Sequence, residues 1–302
     1  MKKKYIKLII SLAVTCSVFI LLFQKIHFAK VFNLIGKIDF RVILFVSVIS
    51  IFNGFFVSSL RWKLILNKMG CDISWRESMF IKVGSDPIIG SMPFRAGEIS
   101  RVAYLKSRKN MLASTAIFSI FIEYVLTIFM LLCFVVLGSI VWVFYGNSAP
   151  LTVRVSPFFG FVKGKGFFSG NKWVSNLKEC FKNHFIRQRI FLNKEILFCT
   201  FLIGFLDLVC VYLIAKGINA SIPLFSLLIY MPLVILASSI PITFLGLGIR
   251  ESLMVFLFMK YASCEKILAL GIIYSFAEHI LPMLIGLSLV PFFVSKIIDI
   301  RR

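Results

Sequence analysis

The chain has 302 residues, of which 59% are hydrophobic and only 16% are charged. Soluble domains carry about 25% charged residues, so this composition excludes a water-soluble globular protein and predicts an integral membrane protein. The net charge is +21, and the basic residues fall in the loops between apolar runs, as the positive-inside rule requires. The sequence contains no RNA- or DNA-binding module, so we expect no nucleic-acid partner.

Six apolar runs are long enough to cross a bilayer, which needs about 20 residues of helix. A helix satisfies its own backbone hydrogen bonds, so we predict an all-α integral membrane protein, a polytopic bundle forming one domain over residues 1–302. The first run follows a lysine-rich N-terminus without a signal-peptide cleavage site, and we expect a retained helix. The runs are residues 8–23, 42–60, 113–145, 196–215, 224–244 and 267–293.

The loop charges predict the orientation of these helices. With the N-terminus in the cytoplasm, two crossings bring residues 61–112 back inside, where ten basic residues face four acids. Residues 146–194 carry nine basic residues and one acid, yet a single crossing at 113–145 would leave them outside. Either that run hides a turn, or residues 148–162 form a poor crossing interrupted by Arg154. We favour the second alternative.

A basic cytoplasmic loop is predicted at about 163–194, with an amphipathic helical pattern. Such a helix lies on the anionic cytoplasmic leaflet, packs on the bundle, or does both. Lys296 and Arg301 place the C-terminus inside as well, whereas only Lys216, Lys260 and Lys266 are expected to lie outside. We therefore expect a multi-pass protein of the bacterial cytoplasmic membrane with both termini in the cytoplasm.

Two segments are apolar but interrupted, and we predict that both are re-entrant and enter from opposite faces. They cover about 78–112 and 224–260, and they contain PFRAGEISR at 93–101 and PITFLGLGIRES at 241–252. Each motif has a proline, one or more glycines, and then Glu close to Arg. Gly- and Pro-interrupted segments in the two halves of a membrane protein point to a substrate site between them.

The residue types in these motifs suit a phosphate-containing headgroup. Backbone N–H groups freed at a helix start attract anions, and arginine adds a forked pair of donors. The glutamates either hold the arginines in place or bind an amine. The alternative is an ordinary surface ion pair at the water interface. The predicted headgroup site comprises Arg95, Gly97, Glu98, Arg101, Gly246, Gly248, Arg250 and Glu251.

Three further carboxylates, Glu123, Asp207 and Glu278, lie inside apolar runs. A charge there costs roughly 2.5 kcal/mol or more, so we expect all three to face the bundle interior. One interpretation is that they form a path for a coupling ion or proton. The other is that they are uncharged carboxylic acids or make hydrogen bonds between helices. The neighbouring His279 is expected to be structural.

The sequence resembles the flippase-like transmembrane family typified by the membrane half of bacterial lysylphosphatidylglycerol synthases, the multiple peptide resistance factors. The resemblance rests on RWKLIL at 61–66, the two interrupted motifs and the helix with Glu123. Many relatives have Glu-Arg followed by an acid where this chain has Glu123, Tyr124 and then Thr127, so no Arg-Asp pair is carried over. The resemblance implies a lipid-handling role, and without a soluble transferase domain we expect no synthesis of aminoacyl lipid.

Three functions remain open at this stage. The first is a flippase that moves a phospholipid or a lipid-linked (polyprenyl or glyco-) substrate with an anionic headgroup across the bacterial inner membrane. The others are a membrane-embedded enzyme with Glu98 as base, and a scaffold subunit for a glycosyltransferase or lipid-modifying enzyme. The expected partners are membrane lipids. No catalytic motif, cofactor or metal site is predicted, and seven cysteines without CxxC pairing indicate no disulfide framework.

Overall fold

The computed structural model describes residues 28–145, 193–239 and 248–298, apart from the side chains of residues 28, 93–95 and 145. A 3₁₀ turn, Pro93–Glu98, joins the third and fourth helices. The helices are α1 (Phe28–Lys37), α2 (Phe40–Lys68), α3 (Trp75–Ser91), α4 (Ile99–Lys109), α5 (Ala113–Tyr145), α6 (Lys194–Gly217), α7 (Leu224–Ser238), α8 (Ile249–Phe258), α9 (Cys264–Leu287) and α10 (Val290–Ile298).

The prediction of an all-α polytopic membrane protein is confirmed. Within the described residues, α2, α5, α6 and α9 are long and apolar enough to cross a membrane. α7 is shorter, with 15 residues, and contains Pro232. The run 8–23, the stretch 148–162 and the basic loop at about 163–194 lie outside the described residues. Re-entry of the two interrupted segments stays a prediction.

Local side-chain chemistry sets several helix ends. Oδ1 of Asp39 accepts a hydrogen bond from the Arg41 amide (2.9 Å) and begins α2. Oγ of Ser74 accepts from the Glu77 amide (3.1 Å) at the start of α3. α4 ends at Asn110, which is in the left-handed conformation with φ of 50°. These are the residue types that satisfy the unpaired backbone groups at helix ends.

The buried core has two main parts. One surrounds the fully buried Trp62 between α2, α3, α4 and α5, and the other surrounds Tyr230 and Phe258 where α5 to α9 meet. At most 56% of the most apolar stretch of any spanning helix is buried. The outward faces carry exposed aromatic residues such as Phe45 and Phe205, which suits contact with hydrocarbon tails.

Candidate functional site: a polar cavity at mid-helix depth

A polar cavity of about 390 Å³ lies inside the bundle, lined by residues of α2 to α9 and of the 3₁₀ turn. Its lining includes Asn53, Asp207 and Glu278, each near the middle of a spanning helix. Charged groups at that depth are costly, and they are retained mainly where they face one another or a water-filled space. The cavity is therefore the main candidate for function.

Two short π-helical turns shape the cavity. In α2 the turn covers Phe52–Val57 and carries Asn53, and in α9 it covers Phe276–Ile280 and carries Glu278. A π turn inserts an extra residue into the helical ladder, which redirects the side chains that follow, and such turns often occur at functional sites. Here they present polar side chains from two spanning helices to one space.

One side of the cavity holds a network of ionic side chains, which we call the basic cluster: Arg61, Lys82, Asp86, Glu98, Arg101 and Glu123. Glu123 is at its centre. Oε1 of Glu123 lies 2.8 Å from Nζ of Lys82 and 3.5 Å from Nη2 of Arg61. Its Oε2 lies 3.8 Å from Nη1 of Arg101. One carboxylate from α5 thus joins cations from α2, α3 and α4.

The acids of the interrupted segment bind Arg101. Nη2 of Arg101 lies 3.0 Å from Oδ1 of Asp86, and Nη1 lies 3.4 Å from Oε2 of Glu98. The guanidinium also packs over the ring of Trp62, with Cζ 5.8 Å from the ring centroid. Tyr124 donates a hydrogen bond of 2.9 Å to Glu98. Arg101 is consequently fixed on several sides, as a forked, planar cation allows.

Gly97 positions this part of the cluster. A Cβ atom at Gly97 would lie 2.6 Å from the carbonyl carbon of Ile88, so only glycine lets the 3₁₀ turn approach α3 this closely. The close approach carries Glu98 and Arg101 to Asp86. The predicted role of Gly97 in freeing backbone N–H groups for a headgroup stays a prediction.

The buried part of the basic cluster has an excess of positive charge. The side chains of Arg61, Lys82, Arg101 and Glu123 are all 7–8% exposed, whereas Glu98 is 18% and Asp86 is 36% exposed. The three cations and Glu123 are therefore the most deeply buried members, and Asp86 and Glu98 are more exposed overall, although Oε2 of Glu98 is buried beside Arg101. Nε of Arg61 is buried and has no hydrogen-bond partner among the described residues.

The other side of the cavity holds a pair of carboxyl groups, Asp207 on α6 and Glu278 on α9, which we call the acidic pair. Asn53 donates a hydrogen bond of 2.7 Å to Oδ1 of Asp207. Ser50 donates one of 2.5 Å to Oε1 of Glu278. Among the described residues, no Lys, Arg or His lies within ion-pair distance of either group.

The second interrupted segment contributes Arg250 to the cavity lining, but Glu251 points elsewhere. Nη1 of Arg250 donates to Oγ of Ser275 (3.1 Å), and Nη2 lies beside the ring of His279. Oε2 of Glu251 accepts a hydrogen bond of 2.6 Å from the backbone of Gly248, where φ is 86°. Glu251 therefore caps α8 and, through Ser275, holds it against α9.

The structure brings together residues that the sequence treated as two half-sites. Glu98, Arg101, Arg250, Glu123, Asp207 and Glu278 all line the same cavity. Gly248 lies at the start of α8, away from the lining. The side chain of Arg95 and the whole of Gly246 lie outside the described part of the chain. Their assignment to a headgroup site, like that of the other residues, remains a prediction.

Sequence reasoning missed the contribution of Arg61, Lys82, Asp86 and Asn53. A signal was available for two of them, because Lys82 and Asp86 are charges four residues apart within an otherwise apolar segment. Arg61 belongs to RWKLIL, a motif that marked the family resemblance without suggesting a role. Asn53 gave no signal, since a single amide in an apolar run is ordinary.

The whole chain was then compared with known proteins. The family model described as the lysylphosphatidylglycerol synthase TM region matches residues 8–286. Comparison with individually curated proteins gave no match. The family match covers both interrupted motifs, the cavity lining and, within the described residues, the four spanning helices except the last residue of α9. This multi-pass membrane protein therefore belongs to the lysylphosphatidylglycerol synthase TM region family.

Proposed function

We propose that this protein is a lipid flippase of the bacterial inner membrane. Its substrate is a phospholipid or lipid-linked molecule with an anionic headgroup, which crosses the membrane through the polar cavity. The observation that carries the proposal is the set of buried cations that line the cavity: Arg61 and Lys82 share the carboxylate of Glu123, and Arg101 pairs mainly with the less deeply buried Asp86 and Glu98. Membership of the family supports a lipid-related role.

The depth of the cavity supports transport over surface binding. A headgroup that leaves water loses its hydration, which costs many kcal/mol for a charged group. The cavity replaces that hydration with fixed charges and hydrogen-bond donors near the middle of the spanning helices. Such a replacement lowers the barrier to crossing.

The free donor of Arg61 supports an anionic headgroup. Nη1 of Arg61 donates to Thr127 (3.2 Å) and Nη2 lies near Glu123, which leaves Nε without an acceptor. A buried donor without a partner costs about 1–3 kcal/mol. Because Arg61 lines the cavity, a small rotation of its guanidinium would let a phosphate oxygen supply that acceptor, and the negative charge of the phosphate would lie beside the buried cations.

An apolar groove beside α2, the helix that carries Arg61, suits the lipid tails. It has a volume of about 790 Å³, lies between α2 and α6, and is lined by Phe52, Phe56 and Leu60 of α2. Asn53 and Ser58, on the same stretch of α2, line the polar cavity. In this proposal the headgroup occupies the cavity while the tails stay in an apolar environment.

Purified protein in liposomes tests the proposal. Labelled phospholipids and lipid-linked sugars are placed in both leaflets, and a membrane-impermeant quencher reports how fast the inner label becomes accessible. We expect at least one anionic lipid to cross the membrane faster in liposomes with wild-type protein than in empty liposomes. Arg61→Lys removes Nε and the forked geometry but keeps the charge, so we expect it to slow that lipid.

Lys68→Gln is the matched control, because Lys68 is an exposed cation on the same helix and lies outside the cavity lining. It should leave the rate unchanged. If no lipid of the panel crosses faster than in empty liposomes, the flippase proposal is overturned. Covalent change of a labelled lipid without crossing would indicate an enzyme. Destabilisation of a partner glycosyltransferase on deletion, with crossing unaffected, would indicate a scaffold.

A further inference from the structure

The three carboxylates within the apolar runs fall into two electrostatic classes. Glu123 is surrounded by the cations of the basic cluster, the nearest 2.8 Å away, and is stable as an anion. Asp207 and Glu278 receive hydrogen bonds from neutral groups of α2, Asn53 and Ser50. A change of charge is therefore expected at the acidic pair and not at Glu123.

We propose that the acidic pair, Asp207 and Glu278, is a proton-binding site whose occupancy is coupled to the anionic headgroup in the same cavity. The coupling rests on the proposed function, whereas the proton site stands on the contacts of the pair alone. The site takes up a proton from water when the cavity is open to one side. It releases the proton when the cavity opens to the other side.

The contacts of the acidic pair favour a state that carries a proton over a state in which both carboxyl groups are ionised. Within the described part of the chain, neither carboxyl group has a cation at ion-pair distance, so the more distant Arg250 offsets only part of the hydration that burial removes, and two ionised groups in one cavity also repel one another. Asn53 gives an independent indication of a missing donor. Its Nδ2 donates to Asp207, but its buried Oδ1 has no hydrogen-bond partner among the described residues. The O–H of a protonated Asp207 is such a donor.

A metal ion fits the pair less well. Calcium and magnesium take about six or more oxygen ligands, most of them charged or from water. Within the described residues, no group of three or more His, Cys, Asp or Glu side chains is arranged to hold a metal. Both carboxyl groups of the acidic pair already accept hydrogen bonds from neutral donors. We therefore expect them to bind a proton and not a metal ion.

The pair is bordered by polar and ionisable groups from every helix that packs around it. Arg250 reaches toward it from α8 and bonds to His279 in the turn that carries Glu278. Cys210 on α6 contacts Ser50, the donor to Glu278. Among the described residues, the other titratable groups that line the cavity or contact the pair's donors are Arg61 on α2, Lys82 and Asp86 on α3, Glu98 in the 3₁₀ turn, Arg101 on α4, Glu123 and Tyr124 on α5, Cys210 on α6, Arg250 on α8, and Tyr274 and His279 on α9.

Sharing one cavity couples the proton to the headgroup. An anion held by the basic cluster raises the electrostatic cost of an ionised acidic pair, so anion binding favours the protonated pair. By linkage, a protonated pair favours anion binding by the same factor. The two ligands are therefore expected to enter together, which allows a proton gradient to drive the lipid.

Infrared spectroscopy of the purified protein tests the proton site without a lipid substrate. Exposed Asp and Glu residues titrate near pH 4 and are ionised at neutral pH, so a carboxylic acid C=O band that persists there reports buried, protonated groups. We expect this band in the wild type. Asp207→Asn and Glu278→Gln should each remove one component of it. Glu195→Gln, an exposed carboxylate on the same helix as Asp207, should leave it intact.

Two results would overturn the proton site. One is the absence of the band from wild-type protein at neutral pH, which needs no variant and so is independent of folding. The other is loss of the band on adding Na⁺ at constant pH, which would assign the site to a metal cation. Size-exclusion profiles and circular dichroism establish whether each variant is folded.

Transport in liposomes tests the coupling. With the membrane potential clamped, an imposed proton gradient should raise the initial rate of the transported lipid in wild-type protein. Asp207→Asn should abolish the response to the gradient. Asp72→Asn, a change at an exposed carboxylate between α2 and α3 that lines neither the cavity nor the groove, should retain it. Equal wild-type rates with and without the gradient would overturn the coupling. If no lipid crosses but the infrared band is present, the flippase proposal fails while the proton site stands.

Discussion

Replacement of Glu123 by Gln removes the one buried carboxylate of the basic cluster and keeps the shape of the side chain. Nζ of Lys82 lies 2.8 Å from Oε1 of Glu123, so the two charges attract by about 6 kcal/mol at an effective dielectric constant of about 20. Desolvation of both groups and the hydrogen bond from Lys82 to Ser58 offset part of this energy. We expect Glu123→Gln to lower the free energy of unfolding by about 3–5 kcal/mol, because buried Lys82 and Arg61 lose their counter-charge while Arg101 keeps Asp86 and Glu98.

Titration of the detergent-solubilised protein with SDS, followed by circular dichroism, measures this loss. The exposed Glu195→Gln should change the unfolding free energy by less than about 0.5 kcal/mol. Adding Lys82→Met to Glu123→Gln returns the buried net charge of the cluster to its wild-type value. The double variant should therefore be more stable than Glu123→Gln alone. Unchanged stability of Glu123→Gln, or a double variant less stable than both single variants, would refute the electrostatic account.

Three further predictions follow from helix packing and loop charge. Gly97→Ala forces a Cβ atom into the backbone of α3 and should lower both stability and lipid transport. Gly36→Ala is the control, because no atom lies within 4 Å of the added Cβ, and it should leave stability unchanged in the same SDS titration. Glu251→Gln weakens the cap of α8 and should destabilise the protein by about 1 kcal/mol, measured in the same way, without removing a group that lines the cavity. In a cysteine-free background, Lys106→Cys should react with a membrane-impermeant maleimide from the cytoplasmic side and Lys266→Cys from the opposite side; the reverse pattern would contradict the predicted orientation.

Much of the fold could be predicted from the sequence, because bilayer thickness imposes a length on every apolar run. The runs at 42–60, 113–145, 196–215 and 267–293 correspond to the four helices able to span. The π turns could not be predicted in the same way, since an insertion of one residue into a helix leaves no pattern in hydropathy. In the turn at Phe52–Val57, Asn53, Phe55 and Val57 are buried, which hydropathy alone does not specify.

Several residues of the candidate site could be predicted from the sequence, but the contacts between them could not. An ionisable residue in an apolar run must face the interior, so Glu123, Asp207 and Glu278 could be selected from the sequence alone. Which of them is balanced by cations depends on neighbours that are distant in the chain. Lys82 contacts Glu123 across 41 positions, and Ser50 contacts Glu278 across 228.

The sequence by itself determined that this is a helical membrane protein, which segments can span, and which motifs mark its family. These properties depend on the local composition and length of each segment. Only the tertiary structure decided that Glu123 belongs to a basic cluster, that Asp207 and Glu278 have neutral partners, and that Glu251 caps a helix. Electrostatic interactions vary with distances of a few ångströms, and in this chain helix packing sets those distances.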